Sequence, residues 1–198
     1  DRLLTDKTRI VAVNHVSNAL GTINPVKEIT AKAHTAGAKV LIDGAQSMPH
    51  MKVDVQDIGC DFYTFSGHKM YAPSGVGGMF GRMEVMETMS PYVTGGDMIL
   101  QVTLEKTTYA KPPARFEAGT PPITQVIGLG AAIDYLNAIG MDKIFEYEKS
   151  LLDYGTRLLQ GIDGLRIIGN AADKAAILSI YLESAHPHDI ITMLDQDG

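Results

Sequence analysis

The sequence predicts an α/β fold with a mostly parallel sheet that has helices on both faces. Two observations lead to this prediction. Apolar, strand-like runs at residues 9–13 and 39–42 flank a helix-like segment at residues 24–34, with short connections between them. Parallel neighbouring strands need such a crossover helix, which then covers one face of the sheet. Polar residues also follow the strands, at the edge where α/β proteins bind ligands.

The first helix has recognisable start and stop signals. Asn24 is its predicted N-cap, because an asparagine side chain can accept a hydrogen bond from the first turn. Pro25 is predicted at the first helical position, where the missing N–H of proline costs nothing. The helix is expected to run to about His34 and to stop at Gly37, since glycine tolerates the left-handed backbone that ends many helices.

The later elements follow from the same kinds of pattern. Residues 61–65 and 75–80 are the predicted third and fourth strands, and residues 83–109 are methionine-rich and irregular. Prolines favour an extended loop at residues 112–122. Towards the C-terminus the sequence predicts helices at 123–138, 141–160 and 188–196, and strands at 165–168 and 176–182.

These elements suggest a division of the chain into two parts. Residues 1–140 are expected to form a large ligand-binding domain, and residues 141–198 a connecting helix and the start of a smaller α+β domain. The chain has no initiator methionine and stops at a helix-ending glycine, Gly198. We therefore expect an internal segment of a longer protein, with both domains incomplete.

Composition excludes several classes of function. The 198 residues carry a formal net charge of −6 without a basic cluster, which argues against nucleic acids and anionic membranes as main partners. No apolar run approaches the ~20 residues of a membrane span. The single cysteine, Cys60, excludes an internal disulfide and is typical of a reducing cytoplasm. We read Cys60 as a small buried thiol.

Lys69 is the most informative residue for chemistry. It follows an apolar strand and the segment Ser66-Gly67-His68. Lysine is rarely buried unless it is paired or reactive, and a partly desolvated lysine loses its proton readily and can form a Schiff base with an aldehyde. The most familiar such aldehyde is pyridoxal 5'-phosphate (PLP), so Lys69 is the candidate catalytic residue.

Other polar residues supply what PLP needs from a protein, and each lies at a predicted strand end. Asp43 can face the pyridine nitrogen, and Gln46 can donate to the phenolic oxygen. Ser66 and His68 can bind the phosphate through a hydroxyl and an imidazole. Asn18 is a candidate donor to the phenolic oxygen or to a substrate carboxylate. Taken singly, each has an ordinary explanation as a turn former, cap or structural residue.

Two other patterns carry no site prediction. The glycines at positions 75, 77 and 78 do not match the G-x-G-x-x-G order of a nucleotide loop. His186 and His188 lie beside Asp189 around a proline at a helix start, where caps and surface residues are more common than metal ligands. We therefore predict no metal site.

Four segments together resemble the cysteine desulfurases, which are fold-type I PLP enzymes of the class V aminotransferase group. The segments are residues 14–18 (Asn-His-Val-Ser-Asn), 40–47 (Val-Leu-Ile-Asp-Gly-Ala-Gln-Ser), 62–69 (Phe-Tyr-Thr-Phe-Ser-Gly-His-Lys) and 115–121 (Arg-Phe-Glu-Ala-Gly-Thr-Pro). The last of these is most similar to the type II, SUF-type branch, which includes selenocysteine lyases. The resemblance extends over essentially the whole chain.

This resemblance implies a role for each candidate residue around the PLP ring. Lys69 is expected to bind the aldehyde and then to move protons on the substrate. Asp43 is expected to pair with the pyridine nitrogen, and Gln46 and Asn18 to address the side of the phenolic oxygen. The implied reaction removes sulfur from L-cysteine, or selenium from selenocysteine, and leaves L-alanine.

At the phosphate, the resemblance implies that Ser66 and His68 hold the group within one subunit. Thr120 resembles a threonine that reaches the phosphate of the neighbouring subunit's cofactor, which implies a homodimer. A sulfur-acceptor protein is the other implied partner. The family's catalytic cysteine and its substrate-binding arginine are expected after Gly198, and a PLP-stacking histidine before Asp1, so the chain by itself is expected to be inactive.

Two alternatives to the desulfurase remain open from the sequence. The first is another fold-type I PLP enzyme, such as a kynureninase-like lyase, an aminotransferase or an epimerase. The second is a catalytically dead fragment or scaffold. A cysteine-containing loop after Gly198 favours the desulfurase, and the absence of PLP on Lys69 favours the scaffold.

Overall fold

The computed structural model describes residues 3–197 and contains a four-stranded sheet in the order β1-β2-β3-β4. Its strands are β1 (Ile10–Asn14), β2 (Lys39–Asp43), β3 (Phe62–Ser66) and β4 (Gly77–Gly81). The first three run parallel, and β4 pairs with β3 antiparallel. The predicted mostly parallel sheet is therefore confirmed, and the carboxyl ends of β1, β2 and β3 lie at one edge.

Each face of this sheet carries its own apolar cluster. Ile42 of β2 and Tyr63 of β3 are register partners on one face, in a cluster with residues of α1 (Val26–Thr35) and of α2 (Val55–Ile58). Phe62 lies on the opposite face, in a cluster with residues of α3 (Met83–Met86). This alternation follows from the two-residue repeat of a strand. Helices on both faces are thus confirmed.

The start of α1 differs from the sequence prediction. Asn24 does not cap the helix, because its Nδ2 donates to Asn14 O at 2.8 Å and lies 3.1 Å from Asn14 Oδ1. The helix begins at Val26, so Pro25 precedes its first residue. The bond to Asn14 ties the loop after β1 back to the strand, which competes with capping for the same side chain. At the other end, the predicted stop is correct, since Gly37 has φ +77°.

Short elements account for most of the other differences. Helix α2, which the sequence prediction missed, is capped by Asp54, whose side chain accepts from Gln56 N and Asp57 N. The segment predicted as irregular contains α3 and a hairpin of β5 (Ile99–Val102) and β6 (Thr107–Tyr109). The predicted proline-rich loop includes a 3-10 turn at Ala114–Phe116.

The C-terminal part agrees closely with its prediction. It contains α4 (Ile123–Ile139), α5 (Met141–Gln160), β7 (Leu165–Ile168), β8 (Ser179–Leu182) and α6 (Pro187–Asp197). Strands β7 and β8 form their own antiparallel pair. The division into two domains stays a prediction. Within residues 3–197, no helix combines the length and apolar character needed to cross a membrane.

Candidate functional site

The carboxyl ends of β1 and β2 bring Asp43 to the edge of the sheet. Asp43 is the last residue of β2 and pairs with Asn14, the last residue of β1. Its Oδ1 accepts a hydrogen bond from Ala45 N at 2.9 Å, which turns the chain sharply after the strand. The carboxylate remains exposed. Among the described residues, Oδ2 has no hydrogen-bond partner, so this oxygen is available to a ligand.

Ser66, His68 and Lys69 lie together at the end of β3. Ser66 is the last residue of the strand, and a 3-10 turn at Gly67–Met70 follows directly. Ser66 Oγ and His68 Nδ1 share a hydrogen bond of 2.9 Å, so a hydroxyl and an imidazole are held side by side. Lys69 is half-buried and has no ion pair within residues 3–197.

The 3-10 turn at this strand end requires a glycine. Gly67 N donates to Val76 O at 2.8 Å. A Cβ at position 67 would lie 2.8 Å from that same carbonyl oxygen and 2.9 Å from Val76 Cγ1. A side chain there would therefore push β4 away from the turn, so close packing explains the glycine between Ser66 and His68.

Gln46 and Asn18 lie in the loops that follow β2 and β1. Gln46 is half-buried in the turn after Asp43. Asn18 is exposed in a tight turn, in which Gly21 N donates to Ser17 O at 2.9 Å. No hydrogen bond within residues 3–197 joins the Asn18 side chain to the other candidates. The order of the strands alone places it on the same edge.

Thr120 belongs to a different part of the surface. It is exposed and lines a cavity of about 700 Å³ with residues that include Gly77, Glu117 and Ile123. Gly77 pairs with Ser66 across β3 and β4, so the cavity lies beside the strand end that carries Lys69. The structure thus brings five candidates to one edge, namely Asp43, Gln46, Ser66, His68 and Lys69. Asn18 lies in the loop after β1, and Thr120 lies beside the edge.

A buried polar cluster beneath this edge was not predicted from the sequence. Tyr63 Oη lies 2.9 Å from His15 Nδ1 and 2.6 Å from Ser47 Oγ, and all three side chains are buried. Burial raises the pKa of Tyr63 to about 12 and lowers the pKa of His15, so both groups are neutral near pH 7. The available sequence signal was a tyrosine in the middle of a buried strand, because a buried hydroxyl needs partners.

Two other residues agree with their sequence interpretation. Cys60 is fully buried, and burial raises the pKa of its thiol, as expected for a structural cysteine. Gly78 lies in β4, where a Cβ would be 2.6 Å from the ring of Phe65, so packing explains it without a nucleotide loop.

The donor set at the sheet edge suits a phosphorylated aldehyde. It offers one amine, one exposed carboxylate, a paired hydroxyl and imidazole, and two amides. An ammonium or carboxylate alone is common on surfaces, whereas this combination matches the aldehyde, pyridine nitrogen, phosphate and phenolic oxygen of PLP. The residues present therefore fit the cofactor that the sequence predicts.

Comparison with known proteins agrees with this fold. The profile of the family described as aminotransferase class-V matches residues 1–198. The chain is 52% identical over 197 residues to a cysteine desulfurase from Synechococcus elongatus. That alignment covers 100% of this chain and 32% of the relative.

Two solved structures show the same fold. The cysteine desulfurase CsdA from Escherichia coli, in an S-sulfonic acid form, superposes with a TM-score of 0.93 at 35% identity, over 98% of this chain and 48% of CsdA. C-DES with glycine covalently linked to its PLP cofactor superposes with a TM-score of 0.87 at 26% identity, over 99% of this chain and 53% of C-DES. The chain thus spans about a third to a half of each of these proteins, and it belongs to the aminotransferase class-V family.

Proposed function

We propose that the protein containing this chain is a PLP-dependent cysteine desulfurase. It removes sulfur from L-cysteine, gives L-alanine, and carries the sulfur as a persulfide for iron–sulfur cluster or other sulfur assembly. The observation that carries this proposal is the placement of Asp43 and of the Ser66–Lys69 segment at the carboxyl ends of neighbouring parallel strands. The similarity to cysteine desulfurases along the whole chain supports it.

When bound, PLP supplies an electron sink for the bond that breaks at the substrate Cα. Lys69 Nζ would hold the cofactor by its aldehyde and would move protons at the substrate Cα. Lys69 lies in a short turn directly after β3, so its amine stays close to the edge of the sheet. The side chain is half-buried, so the amine is still accessible to a ligand.

Asp43 and the two amides set the electronic state and orientation of the ring. The Asp43 carboxylate, with Oδ1 fixed by Ala45 N, would keep the pyridine nitrogen protonated. Gln46 and Asn18 would donate to the phenolic oxygen from the loops after β2 and β1. Ser66 and His68 would bind phosphate oxygens, and their mutual hydrogen bond orients both groups for that task.

The sulfur-accepting thiol is assigned to a cysteine outside these 198 residues. Cys60 is fully buried, and the raised pKa of its thiol makes it a poor nucleophile. We therefore expect no desulfuration by the 198-residue chain alone. A free cysteine is typical of a reducing compartment, so we propose a cytoplasmic protein. The resemblance to cysteine desulfurases is the basis for proposing that an acceptor protein takes the persulfide sulfur.

Lys69→Ala is the direct test. The intact protein is mixed with PLP, reduced with borohydride, digested and measured by mass spectrometry. The wild type and the control Lys106→Ala, at an exposed hairpin position, should gain one reduced cofactor on the peptide that contains Lys69. Lys69→Ala should gain none and should lose the visible absorption band. Cofactor on another lysine would refute the assignment, and no cofactor at all would favour a scaffold.

Substrate tests separate the desulfurase from its relatives. The proposal expects sulfide or persulfide and L-alanine from L-cysteine in the presence of a reductant. Turnover of kynurenine, transamination or racemisation without sulfur release would assign the protein to another class of fold-type I PLP enzyme. Comparing L-cysteine with L-selenocysteine then gives the substrate preference.

The role of Thr120 implies a homodimer with sites shared between subunits. If Thr120 serves the neighbouring subunit's cofactor, mixing Thr120→Ala with Lys69→Ala protein creates heterodimers in which one site has both residues. We expect activity well above that of either variant alone, and sedimentation as a dimer. A mixture that is no more active than the sum of its two components would show that Thr120 acts within its own subunit or not at all.

A further inference from the structure

The hydroxyl groups beneath the sheet edge form a hydrogen bond chain whose direction can be assigned. Ser47 Oγ–H donates to Gly44 O at 3.1 Å, which uses its only proton. The 2.6 Å contact between Ser47 Oγ and Tyr63 Oη therefore has the tyrosine as donor. The tyrosine oxygen is then the acceptor from His15 Nδ1–H at 2.9 Å. The chain runs from His15 through Tyr63 and Ser47 to the carbonyl of Gly44.

The tyrosine ring also determines the shape of the turn above it. A Cβ at Gly44 would lie 2.0 Å from Tyr63 Cε1 and 2.5 Å from its Oη. The ring therefore occupies the space that any side chain at position 44 would need. The peptide group between Asp43 and Gly44 is held at both of its polar atoms as well, since His15 N donates to Asp43 O and Gly44 N to Thr64 O, each at 2.8 Å.

We propose that Tyr63 is a positioning residue for the cofactor site, which acts through Ser47 and Gly44 to fix the turn that carries Asp43 and Gln46. This inference rests on the proposed PLP site but concerns buried residues beneath it. His15 anchors the other end of the hydrogen-bond chain, because its backbone N–H donates to Asp43 O and its ring donates to Tyr63 Oη. The neutral states of His15 and Tyr63 near pH 7 agree with the assigned direction.

Cofactor binding and its spectrum test the proposal. Tyr63→Phe keeps the ring against Gly44 and removes the hydroxyl, and Ser47→Ala breaks only the last two links. In the intact protein, each variant should bind PLP about tenfold more weakly, because a looser turn no longer holds Asp43 and Gln46 in place; a factor of about ten is of the order of one hydrogen bond's net contribution. Each should also shift the pH at which the visible band of the bound cofactor titrates, because Asp43 sets the charge of the ring. Tyr154→Phe, at an exposed tyrosine of α5, is the matched control and should behave as wild type.

Combining Tyr63→Phe with Ser47→Ala distinguishes a connected hydrogen-bond chain from two independent contacts. If Tyr63 and Ser47 act in series, the combined variant should lose little more affinity for PLP than either single variant. Independent contributions would multiply instead, and that result would overturn the proposal. The inference is also overturned if both single variants keep the wild-type affinity and titration, even with lower thermal stability. If the wild-type protein itself does not bind PLP, the proposed function is refuted together with this inference. If the wild type binds PLP and the variants bind it equally well, only this inference is refuted.

Discussion

Ser66 Oγ and His68 Nδ1 share a 2.9 Å hydrogen bond that joins the end of β3 to the 3-10 turn carrying Lys69. The bond holds a hydroxyl and an imidazole next to each other, and only one residue separates them in the sequence. Two adjacent polar groups at a strand end form a ready contact for phosphate oxygens. The pair thus links the backbone geometry of the turn to the proposed cofactor site.

Removing the hydroxyl of Ser66 should weaken cofactor binding. Ser66→Ala loses one hydrogen bond to the phosphate and releases His68 from its partner, and we expect PLP affinity to fall roughly 10- to 100-fold, as for hydrogen bonds to charged groups. Fluorescence or absorbance titration of the apoprotein measures this. Ser150→Ala, whose Oγ donates to Tyr147 O on the exposed side of α5, is the control. An unchanged affinity of Ser66→Ala would contradict the phosphate role.

Neutralising Asp43 should reduce turnover more than it affects folding. Asn in place of Asp43 can still accept the bond from Ala45 N, so the turn should persist. The lost charge no longer keeps the ring nitrogen protonated, and kcat should fall about 10²-fold or more. Asp54→Asn is a matched control, since Asp54 Oδ1 accepts backbone hydrogen bonds in the same way at the start of α2. Equal effects of the two variants on kcat would refute the assignment.

Asp61 should make stability depend on pH in the acid range. It is buried, and burial alone raises the pKa of the carboxyl, but hydrogen bonds from His34, Val40 N and Lys39 outweigh burial and lower the pKa overall. A lowered pKa in the folded state means that its contribution to stability is complete above the unfolded pKa of about 4 and is lost as the pH falls below it.

The variant Asp61→Asn tests this contribution. Urea unfolding at pH 7 should show a loss of about 1–3 kcal/mol in the free energy of unfolding, because buried hydrogen bonds to a charged group are replaced by weaker ones. The difference from wild type should shrink as the pH is lowered through about 4. A difference that stays constant down to pH 2 would show that the charge of Asp61 does not contribute.

Position 44 should not accept a side chain. Gly44→Ala places a methyl group about where Tyr63 Cε1 already lies, and the buried ring, held by two hydrogen bonds, has little freedom to move. We expect a loss of about 1–3 kcal/mol or more in stability from overpacking. Gly130→Ala in α4 has open space around the new methyl group, so the better helix propensity of alanine should leave stability unchanged or raise it. Similar effects of both substitutions would contradict the role of the Tyr63 ring.

Much of the fold could be predicted because its signals are local. Alternation of apolar runs and helix signals placed β1, β2 and β3 within one residue, and Gly37 ended α1 as expected. The cap at Asn24 could not be predicted correctly, since its side chain binds Asn14, ten residues earlier, instead of the helix. Helix α2 was missed because a single turn between Asp54 and Gly59 is too short for a periodic pattern.

The residue types alone indicate which chemistry is present: an amine, a carboxylate, a hydroxyl, an imidazole and two amides, each at or after the end of a strand. Parallel strands end at a common edge, so the strand positions were enough to predict that these groups gather there. The buried groups beneath them depend on contacts between distant parts of the chain. The contact between His15 and Tyr63 joins residues 48 positions apart, and it depends on the register that sets Tyr63 beside Ile42. Register depends on how apolar side chains of strands that are far apart in the sequence pack together, so the pattern within one strand is not enough to specify it.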